Sequence, residues 1–148
     1  MAKPHIFLDS SALISGIISE TGAAHALLQL GETGDILLTI CEFVLVESER
    51  AVAKKAPEHL ELFRTFIKRA NLGIVDDPIE TEVNANLNII SDPDDVPILL
   101  SAMAAGVDFL VTHNRKHFID DPQVAERSGI RIGTPGDAIA WIRENLSP

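Results

Sequence analysis

Tyrosine is missing from this sequence, tryptophan occurs once, and aromatic side chains make up only 5% of it. So few flat rings do not support a base-stacking platform. The single cysteine, Cys41, cannot form an internal disulfide, and cysteine ligation of zinc has no partners here. Its place after a short apolar run predicts a buried thiol. No apolar stretch approaches the length of a membrane span, and the first one, Ile6, Phe7 and Leu8, stops at Asp9, too soon for a signal peptide. These absences predict a cytoplasmic protein with no membrane partner. Positive charge is scarce as well: 22 acidic side chains against 12 basic ones leave a net charge of -10. Holding nucleic acid by general electrostatics is thereby disfavoured, whereas meeting a polyanion through a bound divalent cation is not. For most of these acids, solubility is explanation enough. No glycine-rich turn follows the first strand, which argues against a dinucleotide-binding domain. Linkers, repeats and low-complexity tracts are lacking too, so residues 1–148 read as one domain.

What is present is an alternation of short apolar strands with helical patterns. Strands are predicted at His5–Leu8, 36–40, Gly73–Val75, Phe109–Val111 and 130–132. Between them, apolar residues recur at three- and four-residue spacing. Leu13, Ile14, Ile17 and Ile18 follow a serine cap at Ser10 or Ser11; a helix over 23–30 is capped by Thr21 and ended by Gly31. Val44, Ser48, Ala51 and Val52 mark one further helix, and Leu60, Phe63, Phe66, Ile67 and Ala70 the next. Ile79, Val83, Leu87 and Ile90 form a stripe after Pro78, and Thr134 to Asp137 begin a last helix. Residues between Asn114 and the fifth strand read as a polar connection. No hairpin signal interrupts the alternation, so the fold class is α/β, a mostly parallel sheet with helices on both faces.

Residues 91–114, SDPDDVPILLSAMAAGVDFLVTHN, organise the chain. An acidic turn opens the stretch, the buried helix face Ile98, Leu99, Ala102, Met103 and Ala105 follows, and Gly106 ends the helix. In an α/β unit the start of a helix and the end of the next strand share one edge of the sheet. Asp95 and Asn114 should therefore meet at the carboxyl edge, where open α/β folds bind ligands. Asp9, at the end of the first strand, belongs to the same edge, and Glu47 borders the apolar stripe of the helix after the second strand. Such a set of oxygen ligands suits Mg²⁺ or Mn²⁺ and not zinc. Each member also has a plainer role: Asp9, Asp94 and Asp95 as helix caps, Asn114 as a turn residue, Glu47 as a surface acid. His113 and His117 have the spacing of a helical metal pair, but His113 sits at a strand end.

These residues carry a family resemblance. FLDSSAL (Asp9, Ser11), VLVESER (Glu47), DPDDVPILLSAMAAGVDFLVTHN (Asp95, Thr112, Asn114) and RIGTPGDAI occur in an order and spacing that resemble a PIN-domain ribonuclease. That family includes the toxin components of bacterial and archaeal toxin–antitoxin pairs (VapC-like). The resemblance implies a three-layer α/β/α sandwich with a five-stranded parallel sheet, an Mg²⁺- or Mn²⁺-dependent site, and hydrolysis of single-stranded RNA to leave a 5′-phosphate. It further implies an antitoxin partner and a homodimer. By the same resemblance Asp9, Glu47 and Asp95 match the main acidic positions, while Asn114 falls where many members carry a fourth Asp, with consequences for a second metal. Asp94 is the substitute ligand if the register slips by one. Ser11 and Thr112 match hydroxyl positions that support the acids. Arg50 and Lys54, and Arg115, Lys116 and His117, are the candidates to reach backbone phosphates near such a site, with solvated surface charge as the plainer role of each. Two other functions compete. A receiver-like phosphoacceptor domain would want an acidic pair on strand one, an acceptor Asp on strand three and a Lys ending strand five. A catalytically silent PIN-like module would only bind a partner.

Overall fold

The computed structural model describes residues 2–146. Five strands, β1 (His5–Leu8), β2 (Leu37–Cys41), β3 (Gly73–Val75), β4 (Phe109–Val111) and β5 (Arg131–Gly133), form one parallel sheet in the order β3-β2-β1-β4-β5. Ile6, Phe7, Leu8, Leu110 and Val111 are fully buried, as strands covered on both faces must be. Burial of a side chain such as Phe7 contributes about 1.5–3 kcal/mol.

The chain builds outward from β1 in one direction through α1 (Ser10–Ile18), α2 (Ala23–Glu32), α3 (Glu42–Lys55) and α4 (Leu60–Arg69). It then returns across the sheet through α5 (Glu80–Ala85) and α6 (Val96–Ala105) to lay β4 on the other side of β1. The right-handed rule for parallel crossovers puts these two sets of helices on opposite faces, giving three layers. α7 (Pro122–Ser128) connects β4 to β5, and α8 (Pro135–Leu146) closes the chain against α2, β4 and β5. The strand order reverses between β1 and β4, so the crevice at their carboxyl ends is where such a fold receives a ligand. None of the described helices is long and apolar enough to cross a membrane.

Several expectations need correction. Gly31 does not end its helix; α2 runs on to Glu32, and a Cβ at Gly31 would lie 2.3 Å from Leu38 Cδ1, so glycine is there to let helix and sheet approach. Gly106 does end α6, in the left-handed conformation at φ 69°. The stripe from Ile79 to Ile90 yields only the short α5, because asparagines at 84, 86 and 88 interrupt it. Asn86 Nδ2 donates to the Glu82 carbonyl at 2.8 Å, Leu87 is exposed, and Ile90 alone of the later stripe is fully buried. The polar connection after Asn114 is structured: a π-type turn over Arg115–Ile119 leads to α7, which Asp121 caps by accepting from the Gln123 amide. Strands β2 and β5 each sit one residue later than expected.

Candidate metal centre

Asp9 follows β1 directly and is buried. Its Oδ1 accepts from the Ala12 amide at 2.9 Å and from Ser11 Oγ at 2.7 Å, and its Oδ2 accepts a short hydrogen bond from Thr112 Oγ1. The side chain is thus both the cap of α1 and a wall of the crevice; the two readings of this residue are compatible. Burial pushes its carboxyl above the ordinary value, and the bonds from Thr112, Ser11 and Ala12 together with the nearby His113 pull it back. Thr112 extends the arrangement, since its Oγ1 also accepts from the Asn114 amide at 2.9 Å. Ser11 does likewise, its Oγ accepting from the His113 amide at 3.1 Å, so both hydroxyls lock the end of β4 to the start of α1.

Asp95 lies at the start of α6, yet its side chain makes no cap bond. The cap belongs instead to Asp92, whose Oδ1 accepts from the Asp94 amide at 3.0 Å and closes the 3₁₀ turn Pro93–Asp95. Asp95 is consequently left to face the crevice. Its carboxyl is pushed up to about 6, first by burial and then by the charges of Asp92, Asp9 and Asp94, with His117 opposing.

Glu47 projects from α3 and is exposed, held by a short hydrogen bond from Ser10 Oγ. Asp9, Ser10, Glu47, Asp94 and Asp95 line one hollow of about 430 Å³, completed by Phe43, Val83, Pro93, Pro97, Ile98 and Phe118. The acids singled out from three separate segments therefore share one cavity. Asn114 joins them differently. Its Oδ1 accepts from the His117 amide at 3.1 Å, capping the π-type turn, and its Nδ2 lies 3.5 Å from Asp95 Oδ2. The carboxamide thus presents its nitrogen, not its oxygen, to the acid.

The basic candidates stay outside. Arg50 and Lys54 are exposed on α3, and Arg115 and Lys116 are exposed on the turn after β4, with Arg115 Nε 3.8 Å from Asp120. Lys55, not Lys54, lines the groove of about 690 Å³ that leads from Ser10 and Glu47 along α1. His113 and His117 do not pair: His113 Nε2 meets Ser15 Oγ at 2.9 Å, whereas His117 Nδ1 lies 3.5 Å from Asp92 and 3.4 Å from Asp95. Ser10, Asp92 and Lys55 are therefore neighbours of the site that the sequence did not point to, and His117, expected beside backbone phosphates, reaches the acids instead. A signal existed for His117, which stands three residues after Asn114, where a capping amide is expected. No pattern marks Ser10 over Ser11.

The donors are oxygens, and half-buried Asp95 among them has its proton affinity raised by burial and by the charges of Asp92, Asp9 and Asp94. A hard dication placed among them would relieve that repulsion, so the residues fit Mg²⁺ or Mn²⁺. The receiver-like alternative fits poorly: it needs the third strand beside the first, whereas β3 is here an edge strand separated from β1 by β2.

Solved structures share the fold. A VapBC2 structure from Rickettsia felis bound to a DNA fragment from its promoter has a chain 22% identical, with TM-score 0.61, covering 88% of this chain and 98% of that one. A DNA-bound VapBC structure from Salmonella typhimurium gives 21%, 0.61, 91% and 99%, in the same order. The protein PAE2754 from Pyrobaculum aerophilum gives 17%, 0.59, 95% and 96%. No curated protein matches the sequence. The PIN domain family matches residues 5–116, from the first residue of β1 to just past the crevice, and the chain belongs to that family.

Proposed function

We propose that this protein is a divalent-metal-dependent endoribonuclease acting on single-stranded RNA, and that it serves as the toxin of a toxin–antitoxin pair. The observation that carries the proposal is the single hollow at the β1–β4 crevice lined by Asp9, Glu47, Asp94 and Asp95. Family membership adds to it, since the PIN domain is a nuclease family. The toxin role rests on the VapBC folds and extends to an antitoxin partner, a homodimer and a cytoplasmic location.

In this reading Asp9, Glu47 and Asp95 hold Mg²⁺ or Mn²⁺. When bound, such an ion neutralises charge on the phosphodiester and lowers the pKa of an attacking water. The protein's part is to hold the acids ready. Thr112, Ser11 and the Ala12 amide keep Asp9 oriented while burial alone would favour its neutral form. Ser10 steadies exposed Glu47, and the Asn114 amide steadies Asp95. Second-layer hydrogen bonds of this kind fix ligand geometry. The net charge of -10 leaves few cations to bind phosphate nonspecifically, and Lys55 beside Glu47 is the basic side chain best placed to meet the RNA backbone.

The test incubates the purified chain with single-stranded RNA and Mg²⁺ or Mn²⁺. Cleavage leaving a 5′-phosphate is expected, with EDTA abolishing it and Asp9→Asn lowering it by at least about 100-fold. Cleavage that survives both, or no cleavage of any RNA by the metal-loaded protein, overturns the reading.

A further inference from the structure

Asp92 and His117 do not line the hollow, yet both reach Asp95, which does. His117 Nδ1 is 3.4 Å from Asp95 Oδ2 and 3.5 Å from Asp92 Oδ2. One ligand atom from each of the three residues lies within 4.8 Å of the others. At a metal–ligand distance of ~2.1 Å, adjacent octahedral ligands lie about 3 Å apart and opposite ones about 4.2 Å, so with the imidazole between two opposed carboxylates the three groups need to close by about half an ångström. Two carboxylates aimed at a single imidazole nitrogen form an arrangement that a cation satisfies.

Local structure explains how it forms. Asn114 Oδ1 accepts from the His117 amide, which turns the imidazole back toward Asp95; Asp92 is fixed by its own cap bond to Asp94. A neutral carboxamide at position 114 thus gives up a charge while bringing in a nitrogen ligand, and Asp92 restores the negative charge from the other side.

We propose that Asp92, Asp95 and His117 form a second divalent-cation position, sharing Asp95 with the Asp9–Glu47 hollow, and that its imidazole selects a transition-metal dication such as Mn²⁺ over Mg²⁺. Mg²⁺ prefers oxygen and keeps its waters, whereas first-row transition metals accept imidazole readily. The inference deepens the nuclease reading and rests on its acidic hollow, but its test needs no RNA.

The experiment titrates the metal-free full-length chain with Mn²⁺, counts bound ions by electron paramagnetic resonance, and records the pulsed spectrum for nitrogen coupling. Two equivalents per chain and an imidazole coupling are expected. His117→Gln should weaken one equivalent by about 10–100-fold and remove the coupling, while His113→Gln keeps both. Excess Mg²⁺ should displace the equivalent without nitrogen first. A single equivalent, no nitrogen coupling in the wild-type protein, or coupling that persists in His117→Gln overturns the proposal. Should His117→Gln fail to fold by circular dichroism, the wild-type stoichiometry and spectrum decide alone. Loss of this second position would leave RNA cleavage to be judged by its own assay, and the converse holds.

Discussion

Asp9 and Asp95 stand at the same crevice and both have raised proton affinity, but for different reasons. Asp9 is lifted by burial and held down by hydrogen bonds from Thr112, Ser11 and the Ala12 amide. Asp95 is lifted by burial and by three acids, with only His117 opposing and a long contact from Asn114. One carboxylate is satisfied by the protein, which makes it a scaffold; the other is left in excess negative charge, which makes it a receptor. A metal site needs both, since a fully satisfied cluster has no affinity to spare and an unsupported one collapses or takes up protons.

The largest effect should come from breaking the scaffold. Thr112→Val removes the hydrogen bond to a buried carboxylate while keeping the shape, and should destabilise the protein by about 1.5–3 kcal/mol in urea unfolding. The loss should shrink when Asp9→Asn is already present, because the bond then no longer serves a charge. An unchanged midpoint would mean that Asp9 is not supported from β4.

A smaller effect should come from relieving the receptor. Asp95 titrates near 6 in the folded protein against an ordinary 3.8. Between these values the folded state binds more protons than the unfolded state. The metal-free protein should accordingly be most stable below 3.8 as far as this group is concerned, and lose that contribution as pH rises through about 6. Asp95→Asn should remove the slope and raise the metal-free Tm at neutral pH. Millimolar Mn²⁺ should raise the wild-type Tm above pH 6 more than below it, because the protonated acid is a poor ligand. Equal Tm gains on both sides of that pH would contradict the assignment of Asp95 as the receptor.

The smallest effect belongs to the exposed acid. Ser10→Ala frees Glu47 without opening the core, so Tm should move by less than about 1 °C, because the pair is solvent-exposed. Cleavage should fall by about 10-fold or less through poorer positioning. A Tm change as large as that of Thr112→Val would show that Glu47 belongs to the scaffold.

Much of this arrangement was legible in the chain. The strand His5–Leu8, its terminal Asp9, the buried pattern of α6 and the stop at Gly106 each follow from local periodicity and capping chemistry, which act over a few residues. The failures have equally local causes: asparagines cut short the stripe after Ile79, and Gly31 serves packing where a helix stop was expected. At the site, Asp9 was readable because it ends a strand and Asp95 because it starts a helix on the same edge, whereas Glu47 showed only as an acid bordering the apolar stripe of α3. Asp95 was legible as the crevice residue, but the cap was expected at Asp94 or Asp95; that Asp92 takes it was not legible, since neighbouring acids in one turn compete for the same amides.

By itself, then, the sequence determined an α/β alternation with Asp9, Asp95 and Asn114 at the ends of its elements and Glu47 beside a helix's apolar stripe, because periodicity and turn chemistry are properties of neighbours in the chain. Only the tertiary structure decided that Thr112 bonds to Asp9, that Asn114 turns its nitrogen toward Asp95, and that His117 reaches the acids while His113 does not. Those outcomes depend on where β4 docks beside β1, and on side-chain rotations that no spacing of residues encodes.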